Sequence, residues 1–170
     1  MRYAWLVVAG VFVFSAWSVS PISADNQQAS PKHFIVYPIG QVDKHDGHTR
    51  IILDRNYQAG LSGLDGFSHV LVFYWFDRND TPEKRAILKV HPHGKKQNPL
   101  KGVFATRAPV RPNLIALSLC RIISIRENVI EIDHIDAFPN SPVLDLKPYV
   151  PSIDAADATC PEWVGQPPTE

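Results

Sequence analysis

Only two cysteines, Cys120 and Cys160, and a single methionine, Met1, occur among the 170 residues. Two thiols exclude a disulfide-dense scaffold and leave room for one bridge at most. Cys120 stands in a run with Leu119, Ile122 and Ile123, where a free thiol behaves as a small apolar side chain. A bridge from it to Cys160 stays open. Charge of one sign is also lacking: 17 basic residues balance 17 acidic ones. Net charge therefore gives no electrostatic footprint for nucleic acid. No G-x-G-x-x-G follows a strand pattern, which removes the dinucleotide-binding fingerprint. No internal repeat is visible. The one long uncharged apolar run, residues 4–17, is shorter than the ~20 residues of a membrane-spanning helix.

That run has a different reading. Arg2 precedes it, and Ile22-Ser23-Ala24 puts a small residue at a cleavage position. The pattern predicts a cleaved secretory signal over residues 1–24, with an uncleaved anchor as the alternative, and hence a periplasmic or secreted protein. Met1 being the one methionine, no internal methionine offers a later start. Arg2 is the only charged residue of that segment, so 16 basic and 17 acidic residues remain after its removal, a balance of −1. Residues 25–32 are polar and read as a flexible lead-in. Residues 33–154 read as one domain and 155–170 as a tail, with Trp163-Val164 packed back on it.

What is present in strength lies between residues 102 and 151. Arg107 and Arg111 are four apart, with Pro109 and Pro112 between and beside them. Proline fixes its own φ and turns the preceding residue away from helix, so residues 106–113 are a stiff, extended loop. Two guanidinium forks on such a loop suit a carboxylate or phosphate clamp. They equally suit a structural role, tying down loop carbonyls or pairing with an internal aspartate. Beyond the loop, residues 114–125 read as a buried strand, 126–128 as a tight turn and 129–137 as a second strand. Residues 143–147 form a third, on which Asp145 and Lys147 share a face and Pro148 ends the ladder.

Upstream, residues 34–42 read as a strand. Asp46-Gly47 is a two-residue hairpin signal with 50–53 returning. His45 and His48 flank that turn; with no third ligand, an exposed hairpin end is the simpler reading than a metal site, and no metal is expected. Residues 57–65 read as a loop or short helical turn. Residues 67–76 form an aromatic-rich strand too apolar for a solvated face, with His69 as a hydrogen-bonded core residue near its start. Thr81-Pro82 reads as the start of a short helix, and 88–91 as strand again. His91-Pro92-His93-Gly94-Lys95-Lys96 reads as a solvated loop beside a binding cleft. Many short strands and little helix predict an all-β fold, a small antiparallel β-barrel with short helical turns.

Three stretches together resemble a known family. FATRAPVRPNLIALS, SPVLDLKPYVP and YQAGLSGLDGFSHVLVFYWF, with PIGQV near the start, are similar in order and spacing to the TrmO-like (TsaA-like) S-adenosylmethionine-dependent tRNA methyltransferases. The likeness covers roughly residues 34–154. It implies the same small barrel, often dimeric, with S-adenosyl-L-methionine as cofactor. Carried over residue by residue, it places the cofactor near Asp77, Arg78, Arg107, Leu117, Asp133, His134, Ile135 and Asp136. It leaves Arg111, Asn113, Asp145 and Lys147 to hold loop and strand, and assigns no catalytic base. Here Ala108 stands where the family has serine, and Pro139-Asn140-Ser141-Pro142 where it has D-G-T-P.

The resemblance and the leader together imply three functions. The first is an exported methyltransferase with a small-molecule or envelope acceptor. The second is an exported binding protein that keeps the pocket without the chemistry. The third, if the leader does not function, is a tRNA N6-threonylcarbamoyladenosine N6-methyltransferase. Neither tRNA nor S-adenosylmethionine is expected outside the cytoplasm, so export argues against tRNA as partner.

Overall fold

The computed structural model describes residues 33–154, 159–161 and 164. The chain divides into two units, residues 1–34 and 35–170, and the architecture below belongs to the second. The predicted leader, the whole lead-in and Trp163 lie outside the described residues.

Strand β1 (Gly40–His45) meets β2 (His48–Leu53) through Asp46 (φ 53°) and Gly47 (φ 75°). Two left-handed residues in succession match the right-handed twist of the flanking strands, which is why Asp-Gly serves here. His45 pairs with His48 in register, but the two rings go to different carboxylates, Asp43 and Glu131. A second two-residue turn, Glu127-Asn128, joins β6 (Ile115–Arg126) to β7 (Val129–Ile132). The remaining strands are β3 (His69–Trp75), β4 (Lys89–Val90), β5 (Lys101–Gly102) and β8 (Pro142–Pro148).

Six of them close a barrel in the order β1-β2-β7-β6-β3-β8, every neighbour antiparallel and β8 returning to β1. Closure leaves no open edge in this sheet. Gly40 sits where β1 meets both β2 and β8; a Cβ there would lie 2.2 Å from the Ile52 carbonyl oxygen, so only glycine fits. Inward-facing Val42, Ile51, Val70, Val72, Ile130, Ile132 and Val143 are buried, and Leu61 and Leu64, from the turns before β3, join them. β4 and β5 form a separate two-stranded sheet.

The all-β barrel predicted from sequence is the one observed. Several boundaries differ. The strand expected from residue 34 begins only at Gly40, and residues 34–37 are exposed. Pro38 has no N–H to give a ladder. The strand expected over 129–137 stops at Ile132, because the Asp133 carboxylate accepts the backbone N–H groups of Arg121 (2.9 Å) and His134 (2.8 Å), and the chain turns. β3 does have an outward face: Val70, Val72 and Tyr74 are buried, while Leu71, Phe73 and Trp75 are half-exposed. The helix α1 (Pro82–Arg85) starts as expected, the Thr81 hydroxyl accepting the Lys84 N–H at 3.3 Å. Asp145 and Lys147 pair at 3.0 Å. Cys120 and Cys160 are both free, and burial pushes the Cys120 thiol up to about 12, which leaves it inert.

Candidate functional site

The loop between β5 and β6 is held by its own side chains. Thr106 Oγ1 donates to the Val103 carbonyl (3.0 Å) and accepts the Ala108 N–H (3.3 Å). Arg111 donates from Nη1 to the carbonyls of Thr106 and Ala108, both at 3.4 Å. Arg85, from α1, donates to the Pro112 carbonyl at 2.7 Å. The two loop arginines therefore divide the roles left open by the sequence. Arg111 serves the loop. Arg107 has no hydrogen-bond or ion-pair partner among the described residues, and its fork is available to a ligand.

Three adjoining cavities, of ≈ 450, ≈ 750 and ≈ 260 Å³, meet at Arg107 and Asp136, which line all three. The first is bounded by Lys44, Asp77 and Arg78, with the rings of Tyr74, Phe76 and Phe138. Each element delivers its group for a local reason. Tyr74 ends the inward row of β3 next to a register shift against β8, so its hydroxyl reaches the rim and donates to the Asp136 carbonyl. Burial raises the Tyr74 hydroxyl pKa above its ordinary value, offset in part by a hydrogen bond with Ser118, so the group stays a donor. The ring of Phe76 meets Tyr74 edge-on at 5.6 Å. Asp77 and Arg78 sit on the single turn that follows β3, and the Arg78 guanidinium lies 3.9 Å over the Phe138 ring. Lys44 of β1 donates to the Ile135 carbonyl at 2.7 Å and fixes the backbone just before Asp136.

The cavity thus presents three cations, two carboxylates and flat rings within one concavity of ligand size. Guanidinium groups can grip a carboxylate, Asp77 and Asp136 can meet a cationic group, and the rings offer stacking surfaces.

Of the residues singled out from sequence, Asp77, Arg78, Arg107 and Asp136 come together in the first cavity. Leu117 lines the third, with Arg107 and Arg111. Asp133, His134 and Ile135 line none of the three. Ile135 is buried in the core, and Asp133 and His134 pair with each other at 3.2 Å. Burial raises the Asp133 carboxyl pKa, but the N–H groups of His134 and Arg121 outweigh it and hold it below the usual range. Sequence reasoning missed Lys44, Tyr74, Phe76 and Phe138. A tyrosine hydroxyl on an otherwise apolar inward row was the one legible signal among them.

A closed six-stranded antiparallel barrel with a mixed-charge cleft at its rim defines a ligand-binding β-barrel class. A family model described as the tRNA-methyltransferase O N-terminal domain matches residues 32–155, and the chain belongs to that family. A probable S-adenosyl-L-methionine-binding protein of Methanocaldococcus jannaschii is 43% identical over 121 residues, 71% of this chain and 96% of its own. An S-adenosyl-L-methionine-binding protein of Archaeoglobus fulgidus is 35% identical over 112 residues, covering 66% and 76% of the two chains. The tRNA (adenine(37)-N6)-methyltransferase of Rattus norvegicus is 37% identical over 103 residues, 59% of this chain but only 22% of its own. Among solved structures, TrmO from P. aeruginosa superposes with a TM-score of 0.64 at 28% identity, covering 82% of this chain and 66% of that one.

Proposed function

We propose that this chain binds S-adenosyl-L-methionine in the ≈ 450 Å³ cavity and is a methyltransferase of the TrmO family, exported, with a small-molecule or envelope acceptor. The observation that carries the reading is Arg107: an unspent guanidinium on a braced loop, lining one cavity with Asp77 and Asp136. The donor set fits the group. The cofactor's carboxylate suits Arg107 or Arg78, its ammonium and sulfonium suit Asp77 and Asp136, and its adenine suits the Phe76 and Phe138 rings. When bound, the cofactor supplies a methyl group already activated by a positive sulfur. What the chain adds is position and exclusion of water. Tyr74 and Lys44 hold the backbone at residues 135 and 136, so that Asp136 keeps its place at the junction of the cavities.

Calorimetric titration of S-adenosyl-L-methionine into the full chain tests this, with Arg107→Ala beside it. The expected outcome is binding by the wild type and a loss of about 1.5–3 kcal/mol in the variant, the worth of a charge-assisted hydrogen bond. A folded wild type that takes no cofactor overturns the reading.

Export rests on the sequence of residues 1–24. Fusing residues 1–28 to a reporter that is active only after export is expected to give signal; a silent cytoplasmic fusion would favour the tRNA reading. Self-association is part of the same proposal. Leu71, Phe73 and Trp75 of β3 lie beside Leu119, Leu117 and Ile115 of β6 in one outward apolar strip, flanked by Asp145 and Lys147. A second copy would cover the strip.

A further inference from the structure

We infer that Arg85 is a positioning residue for the cofactor: it ties the loop that carries Arg107 to the turn that carries Asp77 and Arg78, and so sets the place of the guanidinium that grips a carboxylate. This role rests on the cofactor assignment above and concerns how that site selects a carboxylate. Arg85 lines none of the three cavities, so it acts through its neighbours. Two observations carry the role. The first is a clamp. Helix α1 is a single turn, too short to hold itself. Its last two residues reach two different walls of the cleft. Lys84 Nζ donates to the Arg78 carbonyl at 2.9 Å, and Arg85 Nη1 to the Pro112 carbonyl at 2.7 Å. The guanidinium is itself fixed. Its Nε donates to Asp80 Oδ1 at 2.7 Å, the Trp75 Nε1–H donates to Asp80 Oδ2 at 3.1 Å, and the guanidinium lies over the Trp75 ring at 5.2 Å. A planar fork can serve a carboxylate and a distant carbonyl at once, which a single ammonium does not. Asp80 directly follows the Asp77–Asn79 turn, its N–H bonded to the Asp77 carbonyl at 3.2 Å. One side chain thus spans the two segments that bring Asp77, Arg78 and Arg107 to the first cavity.

The second observation is strain where the loop ends. Leu114 takes φ 49°, a left-handed conformation that a bulky side chain rarely adopts, and it is fully buried. Its surroundings must hold such a residue in place. The Leu114 carbonyl accepts the Phe76 N–H at 2.9 Å, and Arg85 holds the carbonyl of Pro112 just before it. Release of the Pro112 carbonyl lets this end of the loop relax toward ordinary backbone. Arg111 keeps the loop folded on itself through the Thr106 and Ala108 carbonyls, so Arg107, between those two, shifts with it.

The test is calorimetric titration of the full chain with S-adenosyl-L-methionine and with its decarboxylated form, which differ only in the carboxylate. Arg85→Gln is expected to weaken S-adenosyl-L-methionine by about tenfold or more and the decarboxylated form by less than about twofold, and to add no further loss in the Arg107→Ala background. The Arg85 side chain is partly exposed and outside the core, so its truncation leaves the barrel intact. Asp80→Asn keeps the shape but weakens the hold on the guanidinium, and is expected to show the same selective loss at about threefold or more; it settles the role if Arg85→Gln does not fold. Equal loss of both ligands, full additivity with Arg107→Ala, or unchanged affinity overturns the positioning role and leaves the cofactor reading standing. A folded wild type that binds neither ligand overturns both.

Discussion

Tyr74 shows how one residue links core and cleft. Its ring is in the barrel's inward row, and its hydroxyl bonds the Asp136 carbonyl at the cavity rim. Tyr74→Phe keeps the packing and removes the donor. The lost hydrogen bond is expected to cost about 1 kcal/mol in urea unfolding, and cofactor affinity should fall in parallel as Asp136 loosens. Unchanged affinity would separate the cavity from this support. Arg107 and Arg111 show the limit of reading residues singly. Their types and spacing are equivalent in sequence, yet one guanidinium is spent on two loop carbonyls and the other faces three cavities.

At the scale of elements, the turn chemistry was the most legible. Asp46-Gly47 and Thr81-Pro82 each act through their own backbone and nearest neighbours, so a local pattern sufficed. The end of β7 was not legible. No proline or glycine marks a break within residues 129–137, but Ile135 is buried after a turn, not on a continuing strand. The Asp133 carboxylate makes that turn by accepting two N–H groups, one of them from Arg121, twelve residues away. Its pKa is lowered by folding, so its contribution is present above the ordinary aspartate value of 3.8 and is lost as pH falls through the depressed folded value. Asp133→Asn is therefore expected to be less stable than the wild type near neutral pH and to flatten the loss of stability below 3.8. Urea midpoints across that range check it, and an unchanged acid slope would remove the carboxylate from this role.

For the whole molecule, closure of the sheet decides what the cavities are made of. The first cavity draws Lys44 from β1, Tyr74 from β3, Arg107 from the loop before β6 and Asp136 from the segment before β8. On the outward face, Leu71, Phe73, Leu117 and Leu119 stay partly exposed, while Arg85 of α1 lies over the Trp75 ring at 5.2 Å. Sedimentation of the wild type is expected to show a dimer, and Leu119→Glu to give a folded monomer. A monomeric wild type would leave the strip to another use.

The sequence alone determined the family likeness, the antiparallel barrel, its tight turns and the bracing role of a proline-rich loop, because period-two patterning, glycine and proline act over a few residues. It also placed Arg107, Asp77, Arg78 and Asp136 among the candidates through motif position. Only the tertiary structure decided which arginine is unspent, that Lys44, Tyr74 and Phe138 join the cleft, and that Ile135 belongs to the core. Those outcomes depend on hydrogen bonds and packing between residues far apart in the chain, ninety-one positions in the bond from Lys44 to Ile135, and no local pattern encodes which partners a closing barrel will bring together.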